Sequence, residues 1–280
     1  MPRLRNMYIA ALLLAFFAMS SAHAQKATFR VLAFWTTDGE VDHSDFARQA
    51  IEFFIEAAGR DHFEFRATTD WQEMNPETLA KTRVVVWLNG QPNTVEERAA
   101  FENYMNHGGA WLGTHVSGYN DRSTTWHWFV DFLGGAVFFA NNWPPLPATL
   151  HVDDPTHPVV KGLPRTFVAP ANEWYVWKPS ARANPDVNVL LTLDPSNYPL
   201  GFKDRLLSGD CPLVWTNTKY RMLYVNIGHG DKAISTPEIR TLFENSLLWL
   251  GRPANQASSA SPDARWVKVV DNALVAIPND

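Results

Sequence analysis

Four residues have the type and setting to do chemistry: His43 in "VDHSDF", His115 in "WLGTHVSG", Glu173 in "PANEWYVW" and His229 in "YVNIGHG". His115 and His229 each follow an apolar run beside a glycine, where a bent backbone presents a side chain. Histidine moves protons near neutral pH and also ligates metals through either ring nitrogen. Glu173 is an acid among aromatics, and partial burial would raise its pKa toward the range of a general acid or base. The chemistry these groups support first is acid–base: His115 and His229 share proton transfer, and Glu173 orients one of them or serves as the acid. A second reading makes the same groups ligands for a divalent metal that activates water. No local motif such as H-E-x-x-H marks that site. In a third reading the chain is a non-catalytic sugar- or partner-binding module.

Plainer roles stand beside these. A histidine at a helix start, such as His43, can cap, and Glu173 can be an ordinary loop carboxylate. His157 precedes Pro158 and fixes a turn. His151 sits among strand residues facing solvent, and His107 ends a helix, where a cation suits the dipole. Cys211 is the single cysteine, so there is no internal disulfide; it reads as a buried, inert thiol. No G-x-S-x-G supplies a serine nucleophile. Of the twelve tryptophans, Trp126, Trp128, Trp143, Trp174 and Trp177 fall in polar or turn-rich segments. Aromatics there either stack on sugar rings or pack the core. Trp128 is the candidate substrate contact among them.

The elements that must position these groups alternate. "TFRVLAFW", "RVVVWL" and "AWLGT" are short apolar or β-branched runs that read as strands, the first and second buried, and "FEFRAT" reads as a strand with alternation. Between them, Phe46 to Ala58 recur at helical spacing and end near Gly59. Asn75 and Pro76 open a short helix. Thr94 and Glu97 form a capping box, and Gly108 closes that helix. This predicts an α/β fold with a doubly wound parallel sheet and helices on both faces. Gly118 to Pro185 is irregular and reads as an insertion at the active rim. "VNVLLTL", "PLVWTN" and "RMLYVNIG" return to strand character, and Ser235 to Gly251 is a closing helix.

The chain ends read differently. Arg3 and Arg5, the apolar run Tyr8–Phe17 and Ala22-His23-Ala24 predict a signal peptide over 1–24, and with it a periplasmic or secreted protein. The domain is then 25–251, with 252–280 a polar linker and a C-terminal tail. The net charge of −5 and the lack of basic clusters exclude nucleic acid as a partner. No later run spans a membrane, so none is expected after signal cleavage. Self-association into a homo-oligomer is left open.

"DHSDF", "YMNHGGAWLGTH", "WHWFVDFLGGAVF", "HVDDPTHPVVKGLP", "ANEWYVW", "PLVWTN" and "RMLYVNIGHG" occur in this order. In that order the chain resembles ThuA-like (trehalose-utilisation) proteins over roughly Thr28 to Gly251. The resemblance implies a flavodoxin-like sandwich similar to class I glutamine amidotransferases, with His115 at the nucleophile elbow where those enzymes use cysteine. It implies carbohydrate metabolism, with a small sugar or keto-glycoside as substrate. His43 then matches the family's early histidine, and Glu173 and Tyr175 its E-x-Y pair, Tyr175 hydrogen-bonding the substrate. One departure matters. The family commonly has a histidine shortly after "GAVF", and here Asn141 and Asn142 stand in that segment. Asn141 and His43 join the expected substrate contacts. A histidine elbow makes an ordinary acyl-enzyme cycle improbable.

Overall fold

A computed structural model describes residues 28–252, with the backbone of two further strands at 266–270 and 273–277. The expected signal peptide and the linker after Arg252 lie outside the described residues. Four apolar runs form β1 (Arg30–Phe34), β2 (Glu64–Thr68), β3 (Val84–Trp87) and β4 (Ala110–Thr114). Every residue of β3 and β4 is buried, as parallel strands covered on both faces require.

The first helix, α1 (Val41–Asp61), buries Phe46, Ala50, Ile51, Phe54 and Ala58 at three- and four-residue spacing. It continues past the expected stop at Gly59, because Gly59 does not take the left-handed φ that ends a helix. His62 ends it instead, in the left-handed region at φ 62°, with its N–H on Ala58 O. A single turn, α2 (Pro76–Leu79), is capped by Asn75. In α3 (Val95–Asn106) the capping box is complete: Thr94 Oγ1 accepts from Glu97 N at 3.1 Å, and Glu97 Oε2 accepts from Thr94 N at 3.1 Å.

Beyond β4 come α4 (His127–Phe132), β5 (Phe138–Asn141), β6 (Leu146–Val152), β7 (Thr166–Asn172), β8 (Tyr175–Trp177), β9 (Val187–Leu193), β10 (Pro212–Asn217), β11 (Tyr220–Val225) and α5 (Pro237–Gly251). The last two strands are β12 (Trp266–Val270) and β13 (Ala273–Ile277). The main sheet runs β12-β13-β2-β1-β3-β4-β11-β10-β9-β6-β7, and β5 pairs with β8 apart from it.

The segment β2-β1-β3-β4-β11 is parallel throughout and has the doubly wound, flavodoxin-like order. The other half departs from the all-parallel expectation. From β11 through β10, β9, β6 and β7 every pairing is antiparallel. For the β10–β11 pair the physical cause is connection length: only Thr218 and Lys219 separate the two strands, far too few for a crossover. Helices α1 and α5 cover one face through Phe46, Phe54 and Phe243. On the other, α3 and α4 bring Phe101, Phe129 and Phe132 against Trp87 and Trp111. Among the described residues no helix is long and apolar enough to cross a membrane.

Candidate metal centre

The loops beyond β1, β4 and β11, together with the β7–β8 junction, meet over the carboxyl ends of the parallel strands. Open α/β sheets bind ligands there. His115 follows β4 directly and sits at φ 43°, a left-handed conformation uncommon for a non-glycine residue. The elbow depends on its neighbour, since a Cβ at Gly228 would lie 2.4 Å from His115 Cβ. His43 occupies the first turn of α1, and His229 follows β11. Glu173 lies between β7 and β8.

Two asparagines stitch these pieces together. Asn172 Oδ1 accepts from Gly228 N and His229 N, each at 3.1 Å, and its Nδ2 donates to Asn226 O at 3.1 Å. Asn226 Oδ1 accepts from Tyr175 N at 3.1 Å. Both asparagines are buried, so these bonds replace water that the site excludes.

One ligand atom from each of His43, His115, Glu173 and His229 lies within 4.8 Å of the other three. Glu173 Oε2 is 3.6 Å from His115 Nε2 and 3.8 Å from His229 Nε2. Its other oxygen accepts from Asn141 Nδ2 at 3.0 Å. The Nε2 atoms of all three histidines are buried without a hydrogen-bond partner. The Nδ1 atoms are served differently. His115 Nδ1 lies 2.9 Å from Asn226 O, an acceptor, and 3.4 Å from Asn226 Nδ2, a donor; the shorter contact places the proton on Nδ1 and leaves Nε2 a bare lone pair. His43 Nδ1 is 3.6 Å from Glu40 Oε2, and His229 Nδ1 is 3.7 Å from Asp42 Oδ2.

Burial holds the His115 imidazole down at about 3, helped by His229 and partly opposed by the Asn226 carbonyl. His43 is held at about 4, by burial first and then His115, with Glu40 opposing. Burial pushes Glu173 upward against the pull of His229 and His43. The Tyr175 phenol, also buried, is raised well above its ordinary value and stays protonated.

Buried ring nitrogens that converge on a carboxylate without hydrogen-bond partners are unfavourable unless a proton or a cation joins them, and a cation serves all of them at once. Three imidazole nitrogens and one carboxylate suit a borderline divalent ion such as zinc, cobalt, manganese or iron, not the all-oxygen demands of calcium. Ligand atoms at about 2.1 Å from a tetrahedral ion stand about 3.4 Å apart, close to the Glu173 distances above.

Of the expected residues, His43, His115, Glu173 and His229 come together, His43 as closely as the other three. Tyr175 lies against His115, ring centroids 4.4 Å apart. Asn141 reaches the cluster through Glu173, which is where the departure after "GAVF" falls. Trp128 is a correction: it packs on Phe132 at 5.0 Å and Tyr220 at 5.7 Å, on the α3–α4 face, and takes no part in the site. Its helical spacing from Phe132 lays it, partly buried, against the edge of the core. Trp174 and Trp177 are core as well, and Trp143 alone of that group is exposed. Cys211 is fully buried, with its thiol pushed up by burial. His157 caps its turn by accepting from Val159 N. The sequence reading missed Glu40, Asp42, Asn172 and Asn226. A polar residue ending the apolar run "YVN" was the available signal for Asn226.

The family model described as ThuA, trehalose utilisation, matches residues 30–250. A putative ThuA-like protein from Bacteroides uniformis is 48% identical in sequence, with 82% of this chain and 94% of that one aligned at a TM-score of 0.79. A second, from Parabacteroides merdae, is 17% identical over 84% of this chain and 94% of its own, TM-score 0.58. A β-galactosidase from Bacillus circulans sp. alkalophilus shares the fold alone, at 11% identity over 88% of this chain and 34% of that one, TM-score 0.52. No curated protein matches the sequence.

Proposed function

The chain belongs to the ThuA family, the family of trehalose utilisation, and from that premise we propose that it is an exported, divalent-metal-dependent enzyme acting on a sugar or keto-glycoside. The observation that carries this reading is the convergence of three buried, unpartnered histidine Nε2 atoms on the Glu173 carboxylate. His43, His115, His229 and Glu173 hold the cation. A bound divalent ion polarises a substrate oxygen and makes water more acidic. Asn141 donates to Glu173 Oε1 and leaves Oε2 turned inward. The protonated Tyr175 phenol beside His115 is a hydrogen-bond donor for a substrate hydroxyl or keto oxygen. The Asn172–Asn226 bonds fix the turns so that no ligand must be reoriented on binding. Proton transfer by His115 itself fits less well, because an imidazole held at about 3 carries no proton to donate at neutral pH.

The test combines metal analysis with turnover of trehalose and its 3-keto derivative, with and without a chelator. The expected result is one cation per chain, lost in His115→Ala, with turnover stopped by the chelator and restored by the metal. Wild-type protein that binds no divalent cation sinks the proposal. Sugar binding without turnover, unchanged in His115→Ala, points instead to a binding module.

A further inference from the structure

The loop from Thr36 to the start of α1 brings two carboxylates to the histidine cluster that the chemistry above does not use. Glu40 occupies the N-cap position of α1, yet its side chain makes no capping hydrogen bond. An N-cap side chain ordinarily accepts from the N–H two or three residues on. Here Glu40 Oε2 stands instead 3.6 Å from the Nδ1 of His43, the third helical residue. Gly39 at φ 110° makes the turn that aims it. The base of the loop is anchored, because Asn89 accepts from Thr36 N and donates to Thr36 O, both at 2.8 Å. Asp42, two residues on, is 3.7 Å from His229 Nδ1. Neither carboxylate accepts a hydrogen bond from any described residue.

His43 and His115 show one arrangement: Nε2 toward the centre without a partner, Nδ1 toward an acceptor. His229 shares it on the Nδ1 side, but Glu40 Oε1 also stands 3.5 Å from its Nε2, nearer than Glu173 Oε2 at 3.8 Å. For His115 the acceptor is the Asn226 carbonyl at 2.9 Å; for His43 it is Glu40 at 3.6 Å and for His229 it is Asp42, in the first turn of α1, at 3.7 Å, both just beyond hydrogen-bond length. An acceptor on the outer nitrogen fixes the tautomer that leaves the inner lone pair free, and it increases ligand basicity. Building on the metal-centre reading, we propose that Glu40 and Asp42 are positioning residues of the centre: they hold His43 and His229 as Nδ1–H tautomers with Nε2 presented to the cation, and they are not ligands. Helix α1 gives up its side-chain cap to supply one of them. A local rule broken at a cluster of functional groups is where such a role is expected.

Glu40→Ser separates this role from a structural one. Serine restores the N-cap, so the metal-free protein should unfold at the same temperature or higher, while its affinity for zinc falls. Zinc and cobalt(II) are titrated against a chromophoric chelator on the full-length protein, with Asp42→Ala and His115→Ala in parallel, and imidazole 15N shifts report the tautomers. Expected are one cation per chain in Glu40→Ser and Asp42→Ala, affinity 10- to 100-fold below wild type, and a mixed tautomer at His43 or His229 respectively. Affinities within threefold of wild type overturn the proposal. Complete loss of the cation in Glu40→Ser also overturns it, since Glu40 would then be a ligand. So does a second cation per chain held between Glu40, Asp42 and His229. Failure of the wild type to bind either ion rejects the metal centre itself, and His115→Ala controls for that separately.

Discussion

Replacing His115 by glutamine in the metal-free protein should flatten the loss of stability in acid. His115 is held at about 3 in the folded chain, against an ordinary 6.5. The folded state refuses a proton that the unfolded state accepts, so stability is full above pH 6.5 and is lost as pH falls toward 3. At pH 5 the difference amounts to about 2 kcal/mol for this residue. His43, held at about 4, acts in the same direction. Asp61 acts in the opposite one: burial and Glu244 raise its carboxyl to about 6, so the folded state gains a proton early and gains stability as pH falls through 6. The wild-type profile alone is thus a sum of opposing slopes, and the informative quantity is the difference between the two proteins. Urea unfolding at pH 8 and pH 5 in excess chelator should show wild type losing at least about 2 kcal/mol more than His115→Gln, roughly a 1 M shift in midpoint at unchanged m. The excess grows if removing His115 also lets His43 titrate more normally. Equal losses in the two proteins would refute the claim that His115 is buried as a neutral imidazole.

Gly228→Ala places a methyl 2.4 Å from His115 Cβ, so it should cost about 1–3 kcal/mol and abolish zinc binding, read by urea unfolding and metal content. Asp61→Asn removes a half-buried carboxylate that is ionised at a cost above pH 6; after discounting for solvent it should stabilise the fold by about 1 kcal/mol at pH 8, with the gain fading below pH 6. Thr94→Ala breaks the capping box of α3 and should cost about 1 kcal/mol in thermal or urea unfolding while leaving zinc stoichiometry unchanged.

The parallel half of the fold was legible because β1, β3 and β4 are continuous apolar runs, β2 alternates, and α2 and α3 carry their own start or stop signals: Asn75 with Pro76, Thr94 with Glu97, Gly108. The antiparallel half was less so: β9 and β10 read as strands but without a direction, and β6 and β7 are buried only alternately. Their direction is set by turns such as Thr218-Lys219, whose two-residue length becomes informative only once both flanking strands are recognised. The cluster itself was legible as a set of glycine-flanked histidines and an acid among aromatics. Its outer partners were not. Glu40 and Asp42 lie in "TTDGEVDHSD", which reads as a solvated polar loop, and both are indeed about half exposed. Nothing local says that Glu40 leaves its own helix uncapped. Trp128 misled because a tryptophan in a polar stretch looks like a loop residue until the turn of α4 beneath it is known.

A strained elbow and a histidine make sense together for a ligand in a way that they do not for a nucleophile. Holding a residue near φ 43° costs on the order of 1–3 kcal/mol, and such strain persists only where the surroundings over-determine it. Around His115 they do: Tyr224 donates to its carbonyl at 2.9 Å, Asn226 O accepts from its Nδ1–H, and Gly228 leaves just the space its Cβ needs. A nucleophile must approach and leave a carbon atom during turnover, whereas a ligand must stay at one distance from one point. Fixing backbone, ring and tautomer at once serves the second requirement. If His115 moved protons, the burial that holds it at about 3 would work against the chemistry. If it donates a lone pair to a cation, the same burial keeps the imidazole neutral and ready across the whole neutral range.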